Sequence, residues 1–393
     1  MSNRRRSFRA APRADCVCLA LSGALLFAPP YGLAAQQADE PARVSGASSQ
    51  SEPWRGGNSQ SEPWRARWQM EAATEYDSNV FRLTDSGKER LDAGGTQYAD
   101  MNSAFDLVAT VELAGELRGR GALGRKLSLG SGLEVDVHAL NPRRTHVDFG
   151  VDAVQSLSSR DKLGVEVGFT PSKFRRNYLS GADLSSQPVY AAGVQQSLEG
   201  RVSYMREVLE GRRGGRSVDV ELRALGGRRT VRDFPWRDRS ELGGRLKIEV
   251  ELARWLDMEL GGTRIRAFHD GTPEPVWQTF GVTTQSLERD FFQNELSVET
   301  AVRLSRGARL LFGYEWRDRA YLAEEGVDPV YGGRVQRRNT FGGELRLDVT
   351  RTFTARVGAA HQLQDLSRST AGGTGDEEDF RRTTGFLQLA YRR

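Results

Sequence analysis

The residues of this chain that could carry chemistry are four histidines, two cysteines and a dense set of regularly spaced charges. His138 and His146 flank a short polar link, so their imidazoles could meet across a hairpin. A structural zinc site needs four such ligands and a catalytic one three. No further His or Cys lies nearby, so both are read as hydrogen-bonded side chains and no metal is assigned. His269-Asp270 has the residue types that activate water, but no second acidic pair is recognisable to face it, so no catalytic residue is assigned. Asp77 and Asn79 could ligate Ca²⁺ through oxygen. The same two residues suit an Asx turn that opens a loop, and that is the expectation. After residue 35 there is no G-x-S-x-G elbow and no phosphate-cradling glycine loop. The chain is therefore read as a non-enzyme without a cofactor.

The rich constellation is charge at every second position. In residues 241–252, Leu242, Leu246, Ile248, Val250 and Leu252 alternate with Glu241, Arg245, Lys247, Glu249 and Glu251. A period of two places all apolar side chains on one face of a strand and all charges on the other. A helix would smear the apolar residues around its circumference, and Gly243-Gly244 would weaken it. Glu134, Asp136, Glu199, Arg201, Asp219, Glu221, Arg223, Glu299, Arg303, Glu344, Arg346 and Arg356 occupy the same charged phase elsewhere, with Lys126, Asp152 and Glu295.

These charges need strands to hold them, and about fourteen alternating runs (12–16) follow residue 65. The links after even-numbered runs are short, at about 118–125, 158–161, 209–215, 253–256, 305–308 and 350–351. Those after odd-numbered runs are longer and rich in Gly, Pro and Asp, at about 79–97, 175–189, 228–238, 269–289, 318–336 and 366–379, with 141–145 as the exception. Near Gly261-Gly262 the ninth run loses phase, which predicts a bulge or kink. A soluble sandwich would need a very large core for so many apolar faces. An antiparallel up-and-down transmembrane barrel inverts the faces, with apolar residues toward lipid, charges toward a wet lumen and no free edge. Most runs reach the roughly 9–11 residues that a tilted crossing needs. Leu246, Ile248 and Val250 are then lipid-facing and the charges lumen-lining. Trp68, Trp255, Phe353 and Tyr391 gather at the short-turn end, and Phe174, Phe268, Phe291, Phe292 and Trp316 at the other, as interfacial girdles do.

The first 35 residues read as a secretory signal, with Arg4, Arg5, Arg6, Arg9 and Arg13 before a short apolar stretch from Cys16 to Ala28. Cleavage after Ala34 or Ala35 removes both cysteines. It also removes five Arg and one Asp, so the net charge of +4 falls to zero, with 51 basic and 51 acidic residues remaining. A nucleic-acid partner would need a basic surface and is not expected. Residues 36–64 lack periodicity and contain SQSEPWR twice, at 49–55 and 59–65. They read as a disordered periplasmic linker before a barrel over 65–393.

Glu75-Tyr-Asp-Ser-Asn-Val-Phe81 resembles the first-strand motif of outer-membrane β-barrel porins of Gram-negative bacteria associated with exopolysaccharide or sorting systems. The resemblance implies an outer-membrane barrel of largely unassigned function. At the C-terminus Tyr391 has the phase of a terminal barrel aromatic, but Arg392 and Arg393 follow it. The expected partners are outer-membrane lipid and lipopolysaccharide, the barrel assembly machinery and small polar solutes. Two functions fit the charged lumen. In one, its unlike charges line a passage for polar or saccharide-like solutes. In the other, they pair, fill the barrel and leave a scaffold, adhesin or assembly factor that acts through its loops.

Overall fold

A computed structural model describes residues 64–121, 124–182, 187–209, 217–269, 271–278, 281–285, 289–324, 328, 331–367 and 379–392. The stretch read as a secretory signal, the first SQSEPWR copy, most of the second and Asp270 lie outside these residues. Sixteen strands form among the described residues. They are β1 (Arg65–Asp77), β2 (Asp106–Arg120), β3 (Lys126–His138), β4 (His146–Ser156), β5 (Asp161–Ala182), β6 (Pro188–Leu209), β7 (Val218–Val231) and β8 (Arg239–Ala253). After these come β9 (Leu256–His269), β10 (Glu274–Gln278), β11 (Gly281–Gln285), β12 (Phe291–Ser305), β13 (Ala308–Tyr321), β14 (Val335–Asp348), β15 (Phe353–Ser367) and β16 (Phe380–Arg392). Fourteen of them pair antiparallel with their neighbours, and β1 pairs with both β2 and β16 to close a barrel. The fourteen-strand antiparallel barrel is the fold that the alternation predicts. β10 and β11 form a separate hairpin in the link between β9 and β12. No described helix is long and apolar enough to cross a membrane.

The faces are inverted relative to a soluble protein. Leu198, Leu242, Leu296 and Phe312 are more than half exposed, while Glu71, Asp106, Glu344 and Arg338 are almost wholly withdrawn from solvent. Side chains alternate across a strand, so each strand of the barrel puts its apolar set outside and its charged set inside. The two buried apolar clusters among the described residues both sit at the long-loop end. One joins Val80, Phe81, Leu83, Leu91, Tyr98 and Met101 of the β1–β2 link to Phe174 of β5. Within that link α1 (Asp85–Asp92) is capped by Thr84, whose hydroxyl accepts from the amide of Gly87 at 2.9 Å.

Three local expectations are corrected. The predicted irregularity at Gly261-Gly262 is absent, because β9 pairs through both glycines with β8 and β12 without a register shift. What changes is the surroundings of the side chains. Beyond Gly262 the outer phase carries Arg264 and Arg266, which lie over the rings of Phe292 and Phe268. The inner phase carries Ile265, which lines the central cavity. The link predicted at 175–189 is instead mostly strand, since β5 and β6 are 22 residues each and run past the others. Their pairing shifts register between Thr170 and Lys173, where Pro171 has no N–H to give to the ladder. Finally, Phe174 and Phe291 leave the predicted outer girdle. Phe174 is buried in the loop cluster and Phe291 faces inward beneath Arg319. At the short-turn end Trp68, Tyr391 and Phe353 do form a connected aromatic group, with centroids 5.5 and 5.1 Å apart.

Candidate functional site: the charged lumen and its mouth

The Glu75–Phe81 motif sits where the barrel closes. Asp77, at the end of β1, accepts from Nε and Nη2 of Arg382 on β16, at 2.9 and 2.6 Å. This is the two-pronged geometry a guanidinium makes with a carboxylate. Asp77 Oδ1 also accepts from the amide of Asn79, the Asx turn the spacing predicts. The Asn79 side chain then accepts from the amide of Leu83 and donates to the carbonyls of Leu83 and Arg381. A seam and a loop base are therefore made by the residues considered for Ca²⁺. The loop cluster that follows stands over the lumen, with Val80 on the wall of the main cavity.

That cavity occupies about 550 Å³. Its lining includes twelve carboxylates and nine Lys or Arg side chains. The β1–β4 wall contributes Glu75, Asp77, Glu134, Asp136 and Asp148. The facing wall, from β6 to β13, contributes six arginines and six glutamates. Here the charges interlock. Arg317 reaches Glu295 at 2.7 Å and Glu315 at 3.3 Å, and Arg229 lies 3.3 Å from Glu241 and 3.5 Å from Glu199. Arg201 pairs with Glu166 at 2.7 Å. Gly261 faces inward, and a Cβ there would stand 3.3 Å from the Arg245 guanidinium.

Of the charged residues singled out by phase, Glu134, Asp136, Glu199, Arg201, Arg223, Glu241, Arg245, Glu295 and Glu299 line this cavity. The others do not line it. Glu221 holds Arg223 at 2.7 Å, and Lys247 reaches Glu259 at 2.7 Å and Glu249 at 3.8 Å. Glu344 pairs with Arg356 at 2.8 Å, and Arg356 also donates to the side-chain Oε1 of Gln388. Glu344, Gln388 and the neighbouring Glu71 are almost wholly excluded from solvent, so this arc of the lumen is filled by side chains. Arg346 pairs with Asp348, while Asp219, Glu249 and Arg303 are exposed toward the short-turn end and Glu251 is half-buried there. Leu246, Ile248 and Val250 stand on the opposite phase. Their ladder partners are Leu222, Val220 and Val218 on β7 and Gly262, Leu260 and Met258 on β9.

The histidines take hydrogen-bonding positions. His138 Nδ1 is 2.9 Å from Asp106, a carboxylate that also accepts from the Leu140 amide and the Asn141 side chain. His146 Nδ1 donates to the carbonyl of Arg144, which turns Nε2 toward Asp136 and Asp148 at 3.5 and 3.3 Å. The two rings are 6.2 Å apart. Among the described residues no group of three or more His, Cys, Asp or Glu could hold a metal ion. His269 lies 3.6 Å from Asp290, a partner that the sequence reading did not consider. That reading also missed the arginines of the loop-side mouth, because Arg237 and Arg289 lie in links where no period of two could mark them.

No protein-family model matches the chain, and no curated protein matches it. Solved structures do. An anion-selective porin from Comamonas acidovorans aligns at 10% identity over 84% of this chain and 99% of its own, with a TM-score of 0.39. The outer membrane channel DcaP of Acinetobacter baumannii aligns at 10% identity over 84% and 97%, with a TM-score of 0.40. A bacterial polysaccharide outer membrane secretin aligns at 9% identity over 84% and 98%, with a TM-score of 0.38. These neighbours are outer-membrane barrels, and at such scores the likeness says nothing of what this barrel carries.

Proposed function

We propose that the chain is an outer-membrane channel of porin type that lets small polar or saccharide-like solutes pass passively. The observation that carries this reading is a charge-lined cavity of about 550 Å³ inside a closed barrel whose outer face is apolar. An apolar outer belt is stable against hydrocarbon and costly against water. Arg264 and Arg266, outward at the loop end of β9, then meet lipopolysaccharide headgroups. The short-turn end, where β1 begins and β16 ends, faces the periplasm. Signal cleavage delivers the chain there.

Inside, a net acidic wall faces a wall of interlocked arginines and glutamates. Water between them is ordered by unlike charges, and a solute that replaces it must offer dipoles or hydroxyls in return. Apolar solutes cannot do so and are excluded. The loop cluster at Val80 narrows the entrance, and the Glu344–Arg356–Gln388 group narrows one side below. Both point to a small passage, not to the wide bore of an unobstructed fourteen-strand barrel. Single-channel recording of the purified barrel in a planar bilayer tests this. Small, stable conductance steps are expected, together with swelling of proteoliposomes in small sugars. A correctly folded barrel with neither property would instead be a scaffold acting through its loops.

A further inference from the structure

A second cavity of about 80 Å³ opens off the loop-side end of the lumen and shares Arg229, Phe291 and Arg319 with the main one. Among the described residues, its lining contains six arginines, Arg175, Arg229, Arg237, Arg239, Arg289 and Arg319, and no carboxylate. The carboxylates stand behind the arginines. Glu274 takes Arg237 at 3.0 Å and Arg289 at 2.6 Å, and Glu241 takes Arg239 at 2.7 Å. Aromatic faces brace the same groups from the side. Arg237 lies over Tyr178 at 4.4 Å, Arg319 over Phe291 at 4.3 Å and Arg289 over Tyr331 at 5.1 Å. Gly193 leaves the space for the Tyr178 ring, with which a Cβ would collide.

Carboxylates or aromatic rings thus hold Arg237, Arg239, Arg289 and Arg319, and all six arginines line one common small space. Arg229, Arg289 and Arg319 are all more than nine-tenths buried, so water screens their mutual repulsion poorly. A group that accepts several charge-assisted hydrogen bonds at once would offset that repulsion. The volume admits a tetrahedral oxyanion and little more. Arg229, Arg239 and Arg319 belong to the inward phase of β7, β8 and β13, so the ligand arrives from solution through the lumen mouth and not from the lipid-facing surface.

We propose that this cavity binds a polyvalent oxyanion of phosphate size, taken from solution at the loop side. The site stands on the lumen geometry whether or not solute crosses the barrel. Its test is therefore a binding measurement on the full-length barrel folded in detergent micelles, by equilibrium dialysis against radiolabelled inorganic phosphate. One saturable phosphate per barrel is expected, displaced by sulfate and poorly by chloride. Arg289→Gln is expected to weaken binding about ten-fold or more. Arg175→Gln, at a half-buried position that folding depends on less, should also weaken it. Arg346→Gln, near the short-turn end, should leave it unchanged. Heat-modifiable gel mobility reports that each variant is folded. Absence of saturable phosphate binding to the folded parent overturns the proposal. So does undiminished binding by folded Arg175→Gln, or binding of lipid A headgroups with none of free phosphate.

Discussion

Asp77 on the first strand and Arg382 on the last are 305 positions apart in the chain, yet they form a two-pronged pair at the closing seam. Both are nearly buried, so removing one partner leaves a charge without its counter-charge in a poorly hydrated place. That costs about 3–5 kcal/mol for buried pairs. Asp77→Asn is expected to lower barrel stability toward that range, measured by urea unfolding in lipid vesicles. Arg382→Gln should do the same, and the double variant should lose much less than the sum. Additive losses would mean that the two residues act separately. The sequence allowed two readings of Asp77-Ser-Asn79, an Asx turn or a cation site. It could not choose Arg382 as the partner, because strand closure alone brings the two together. The inward phase of Glu134 or Arg245 needs only the neighbouring residues, so it was legible.

On the scale of elements, alternation made the strands readable and environment misled at their ends. β8 shows the legible case, where the alternation holds in register from Arg239 to Glu251. β9 shows the other. Its outer phase passes from Leu260 to Arg264 and Arg266 because the surroundings change, so a hydropathy pattern reports a break where the backbone has none. β5 and β6 extend beyond the predicted loop boundary because their upper turns carry bulges, and bulges shift the period on which the reading rests. A paired substitution in β8 tests which face meets lipid. Leu246→Arg places a cation at the middle of the strand on the outer phase, and should destabilise the inserted barrel by roughly 2–4 kcal/mol at the midplane. Lys247→Ala, one residue on and inward, should leave folding into vesicles intact and remove only the contacts to Glu249 and Glu259. Folding yield and vesicle stability of the two variants are the measurements. Equal tolerance at both sites would contradict a lipid-facing outer phase.

For the whole molecule, balance of charge along the chain conceals an uneven distribution in space. Beyond residue 35 acids and bases are equal in number, but the main cavity carries twelve carboxylates against nine Lys and Arg. The excess is acidic, while six arginines and, among the described residues, no carboxylate line the side cavity at the mouth. A narrow, low-dielectric wall concentrates the field of such an excess. The open channel is therefore expected to prefer K⁺ over Cl⁻ by a few-fold, read from the reversal potential across a salt gradient. Screening decides how that preference behaves. The Debye length is about 10 Å at 0.1 M salt and about 3 Å at 1 M, so charges act across the lumen at the lower concentration and only on their neighbours at the higher. The preference should be clear near 0.1 M and fade toward 1 M. Glu134→Gln, which removes one lining carboxylate without breaking the Asp77–Arg382 seam, should reduce it at low salt. A selectivity for Cl⁻ at low salt, or one indifferent to ionic strength, would show that the fixed charges of the main cavity do not govern passage.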